Sequence, residues 1–84
     1  MKKILIVEDD VSIRNELQKL LVNSGYETIV MDNFENQIEF ILESKADLIL
    51  LDINIPILNG EMVLKELRKK SDVPVIMVTS RTSE

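Results

Sequence analysis

The apolar positions of this chain switch between two spacings. Ile4-Leu5-Ile6-Val7 is an uninterrupted aliphatic run of the kind that forms a strand covered on both faces. After Glu8-Asp9-Asp10 the spacing lengthens to Ile13, Leu17, Leu20 and Leu21, one face of a helix that Asp10 or Ser12 can cap and Gly25 can stop. Residues 27–31 read as a second strand. Asp32-Asn33 then precede a helix with Phe34, Ile38, Ile41 and Leu42 on its inner face. The run "LILLDINIP", Leu48 to Pro56, is a third strand that meets a carboxylate at Asp52. Pro56 and Gly60 punctuate the loop after it, Val63, Leu64 and Leu67 mark a third helix, and Pro74 leads into a fourth strand over 75–79.

Four strands alternating with three helices specify an α/β domain with a parallel sheet and right-handed crossovers. Neither an internal repeat nor an interdomain linker interrupts it, so residues 1–84 are read as a single domain. If the second strand lies outside the first and the third on its other side, the order is 2-1-3-4. The crevice where ligands bind such sheets then opens between strands one and three, at their carboxyl ends. The fourth strand is as apolar as an interior strand, yet no helix follows it before Glu84. The sequence therefore predicts an incomplete domain. It also predicts self-association or domain exchange through strand 75–79, with the Leu17, Leu20 and Leu21 face and both sides of strand four short of neighbours.

Composition narrows the chemistry. The chain contains neither Cys nor His, which removes thiolate and imidazole nucleophiles, disulfides and His- or Cys-ligated metals. Any metal must be held by oxygen. The net charge of −5 argues against a nucleic-acid partner. The basic cluster Lys65, Arg68, Lys69 and Lys70 reads as a solvated helix end complementing the helix dipole. No apolar run reaches the ~20 residues of a membrane span and no signal-peptide pattern is present, so the cytoplasm is the expected location.

Oxygen-bearing side chains gather where the strands end: Glu8 and Asp9 after the first, Asp52 at the third, Thr79 at the fourth. Taken singly each has an ordinary reading, as a helix-start charge, a solvated loop carboxylate or a β-forming Thr. Together they converge on the expected switch point. Three carboxylates that close raise one another's pKa unless a cation intervenes, and a hard ion such as Mg²⁺ suits an all-oxygen set. The metal would neutralise an incoming phosphoryl group, Asp52 would be the carboxylate nucleophile, and Thr79 could donate a hydrogen bond to a phosphoryl oxygen.

The stretches "ILIVEDD", "LILLDINIPILNG" and "PVIMVTS" resemble the receiver domain of bacterial two-component response regulators. The resemblance covers the whole chain and the first four of that family's five β/α units. It implies a flavodoxin-like three-layer αβα fold without the fifth strand and the last two helices. It further implies that Glu8 and Asp9 are the acidic pair, Asp52 the phosphoacceptor and Thr79 the switch hydroxyl, with the backbone carbonyl of Asn54 completing the Mg²⁺ site. A sensor histidine kinase is the implied phosphoryl donor, and "VEDD" is similar to regulators whose winged-helix domain, absent from these residues, binds DNA. The family's lysine at the end of strand five has no counterpart here. Two other classes stay open. One is a phosphohydrolase of the haloacid-dehalogenase type, disfavoured because Asn54 stands where its second aspartate is needed. The other is a binding or self-associating module that is never phosphorylated.

Overall fold

The computed structural model of the chain describes residues 2–31, 36–52 and 60–78. In chain order the elements are β1 (Lys3–Val7), α1 (Val11–Asn23), β2 (Glu27–Val30), α2 (Gln37–Ser44), β3 (Leu48–Asp52), α3 (Gly60–Arg68) and β4 (Val75–Val78). The strands form one parallel sheet in the order β2-β1-β3-β4, as the alternation of spacings predicts.

Local chemistry sets the ends of α1. Asp10, rather than Ser12, is the N-cap: its side chain accepts a hydrogen bond from the Ile13 N–H at 3.2 Å. At the other end the Gly25 N–H bonds the Val22 carbonyl and the Tyr26 N–H bonds the Leu21 carbonyl, each at 3.0 Å. This reversal requires the left-handed backbone that Gly25 adopts, with φ 96°. For α2, Asn36 occupies the N-cap without a side-chain bond. The Asp32, Asn33 and Phe34 expected at its start lie outside the described residues.

Alternate strand residues serve opposite faces of the sheet. Leu5, Val7, Met31, Ile49 and Leu51 form the main core with Ile41 of α2 and Val63 and Leu67 of α3. Ile4 and Ile6 are buried on the opposite face, where α1 packs over β1 and β2. The two faces are covered unequally. Leu20 is 62% exposed, as expected of the Leu17, Leu20 and Leu21 face that is short of neighbours. On β4, Ile76 is 49% exposed, whereas Val75 and Met77 pack against the main core. The expectation that both sides of strand four lack neighbours therefore holds for one side only, since β3 and the α3 layer reach the other.

The register carries the site. β1 and β3 pair Ile4 with Leu48 through Val7 with Leu51, so Glu8 follows one strand where Asp52 ends the other. At the opposite end the Lys3 N–H donates to Asp47 Oδ2 at 2.8 Å and the Asp47 N–H donates to the Lys3 carbonyl at 2.7 Å, which pins this alignment. A slip of one residue would turn every side chain of β3 to the wrong face.

Core and exposed positions are expected to respond differently to truncation. Leu5→Ala should lower the unfolding free energy by about 2–5 kcal/mol in urea titration. Leu20→Ala should cost no more than about 0.5 kcal/mol. Comparable losses at the two positions would contradict this assignment of faces.

Candidate functional site

The carboxyl ends of β1 and β3 bring together three of the expected residues. Glu8 is 1% exposed, Asp52 is fully buried and Asp9 is exposed at the rim. One carboxylate oxygen from each lies within 4.8 Å of the others, close enough for a single cation to bridge all three. Among the described residues this is the one such acidic cluster.

Burying two carboxylates side by side is costly, and the hydrogen bonds around Glu8 show how the cost is distributed. Its Oε2 accepts from the Asp10 N–H at 3.1 Å. Its Oε1 is buried and meets no donor among the described residues. Burial is the main cause that pushes the Glu8 carboxyl up to about 7. The Asp10 N–H opposes the rise, while the neighbouring Asp52 side chain and the negative charges of Asp52 and Asp9 add to it. Without a cation, Glu8 therefore holds a proton over part of the neutral range. A divalent ion placed among the three oxygens would displace it. The donor set contains only hard oxygens, which fits Mg²⁺.

Two further expected residues, Thr79 and Asn54, lie outside the described residues. β4 pairs Val78 with Asp52, which brings the described part of that strand level with the site immediately before Thr79. Two features were missed. Gln37 is buried at the start of α2, a polar residue on the same helical face as Ile41, where its i, i+4 spacing was the available signal. The Asp10 N–H bond to Glu8 depends on a turn geometry that residue types alone do not reveal.

Comparison with known proteins gives concordant findings. The family model for the response regulator receiver domain matches residues 4–84. The chain is 39% identical over 84 residues to the transcriptional regulatory protein YxdJ of Bacillus subtilis, a match covering 100% of this chain and 37% of that protein. It thus spans little more than a third of that relative's length. The response regulator protein TrrA of Thermotoga maritima, solved in complex with Mg²⁺-BeF, superimposes with a TM-score of 0.86 at 36% identity, covering 98% of this chain and 72% of that one. A complex of histidine kinase ThkA with TrrA matches with the same score and identity, covering 99% of this chain and 72% of its counterpart. No helix among the described residues is long and apolar enough to cross a membrane.

The raised Glu8 pKa gives a stability profile of definite sign. Between its ordinary 4.5 and about 7 the folded state binds a proton that the unfolded chain has released. In divalent-free buffer the thermal midpoint should therefore fall as pH rises from about 5 to about 8, a loss of at most about 3 kcal/mol. Glu8→Gln should flatten that fall. A midpoint that climbs over this interval, or an unchanged slope in the variant, would contradict the assignment.

Proposed function

Because the chain belongs to the response regulator receiver-domain family, we propose that Asp52 accepts a phosphoryl group from a sensor histidine kinase in two-component signalling. The observation that carries this reading is the convergence of Glu8, Asp9 and Asp52 where β1 and β3 end, with Asp52 buried against an apolar sheet. The relative solved with a histidine kinase, and its form solved with Mg²⁺-BeF, support the partner and the metal.

Glu8, Asp9 and Asp52 would hold Mg²⁺, with the Asn54 carbonyl as a further ligand. Bound there, Mg²⁺ supplies positive charge beside the phosphoryl oxygens and lets all three carboxylates ionise together. Asp52 then offers one carboxylate oxygen to phosphorus. The O–P bond forms as the P–N bond of the phosphohistidine breaks, and the protonated imidazole leaves with the bonding pair. The burial of Asp52 limits water around the acyl linkage and slows its hydrolysis. Thr79 donates its hydroxyl to a phosphoryl oxygen, and this new hydrogen bond biases a two-state equilibrium read by the rest of the protein.

The chain acts as a stoichiometric phosphoacceptor and not as a turnover enzyme. In the whole protein the output is transcriptional control through a separate DNA-binding domain, in keeping with the curated relative's name. This chain, with its net charge of −5, does not itself contact nucleic acid, and it works in the cytoplasm.

Intact-mass measurement after incubation with acetyl phosphate tests the proposal. Wild type should gain a single phosphoryl group only when Mg²⁺ is present, and Asp52→Asn should gain none. Glu8→Gln combined with Asp9→Asn should reduce the adduct at least tenfold. An adduct in Asp52→Asn, or steady release of phosphate with repeated turnover, would sink it.

A further inference from the structure

Asp10 is the one acidic residue of the Glu8-Asp9-Asp10 run left outside the cation site, yet one hydrogen bond ties it to that site and two tie it to α1. Its backbone N–H donates to Glu8 Oε2 at 3.1 Å. Its side-chain Oδ1 accepts from the Ile13 N–H at 3.2 Å, and its carbonyl accepts from the Arg14 N–H at 2.9 Å. The residue between β1 and α1 thus has its N–H, side chain and carbonyl all engaged, in the extended N-cap conformation with φ −79° and ψ 113°.

We infer that Asp10 is a positioning residue for the cation site: by capping α1 it fixes the turn whose N–H holds Glu8 in its ligating orientation. A glutamate side chain has three rotatable bonds, and an unanchored one loses that freedom when it binds a metal. Here one oxygen is already anchored from behind. The other, Oε1, is buried without a donor among the described residues, and Glu8 offers a carboxylate oxygen within 4.8 Å of those of Asp9 and Asp52. The same backbone turn carries Asp9, so the cap orients two ligands at once. The capping bond also links the first turn of α1 to the occupancy of the site. This inference rests on the proposed cation-binding function and adds to it a residue that acts through Glu8.

Isothermal titration of Mg²⁺ into the wild type, Asp10→Asn, Asp10→Ser and Asp10→Ala tests it. All three variants lose the same formal charge, so the difference among them reads the cap alone. Asn and Ser retain a capping acceptor and should bind Mg²⁺ with similar affinity, whereas Ala should bind about tenfold more weakly than Asn. Asp10→Gly, which tolerates the cap backbone but has no side-chain acceptor, should resemble Ala and serves if Ala does not fold. Ile4→Val, at the far end of β1, provides a loss of thermal midpoint remote from the site and should leave Mg²⁺ affinity unchanged. Equal affinities for Ala and Asn would overturn the inference and leave charge as Asp10's contribution. An equal loss in Ile4→Val would overturn it in favour of general loosening. Failure of wild type to bind Mg²⁺ would overturn the functional reading and this inference together.

Discussion

The parallel pairing of β1 with β3 is the constraint from which the rest follows. Setting Val7 against Leu51 leaves Glu8 and Asp52 side by side where the two strands end, both withdrawn from water. Two adjacent buried carboxylates are unfavourable unless they share a proton or a cation. The fold meets this need with a proton when no metal is bound, as the raised Glu8 pKa expresses. The three carboxylate oxygens are thereby arranged where a divalent ion could replace that proton.

The remaining elements hold that pairing in place. The reciprocal Lys3 and Asp47 bonds pin the register at the amino ends of the strands, and Asp10 secures the carboxyl end through α1. Ile41, Val63 and Leu67 press α2 and α3 onto one face of the sheet, and α1 covers β1 and β2 on the other. The unequal cover explains why Leu20 and Ile76 stand half open while Val75 and Met77 do not. Buried side chains are concentrated on β1 and β3, where an alignment error would be most damaging to the acidic site.

Much of this was legible in the residues. Uninterrupted aliphatic runs such as Ile4 to Val7 mark strands covered on both sides, and the change to helical spacing after Asp10 marks crossovers, which together dictate a parallel sheet. That topology directs Glu8, Asp9 and Asp52 to one crevice, and the structure brings these three together. Other features were not legible. Asp10 and Ser12 were equally good caps on composition, and only the hydrogen bond to Ile13 distinguishes them. The burial of Gln37 follows from helix orientation and not from polarity.

Borohydride trapping tests the central claim most directly. Reduction of an aspartyl phosphate by borohydride converts the modified residue to homoserine, which peptide mass spectrometry assigns to a position. After treatment with acetyl phosphate and Mg²⁺, homoserine should be found at position 52 and nowhere else, and omitting Mg²⁺ should abolish it. Homoserine at position 9 or 10, 2-amino-5-hydroxypentanoic acid at position 8, or no homoserine at 52 despite saturating Mg²⁺, would contradict the account.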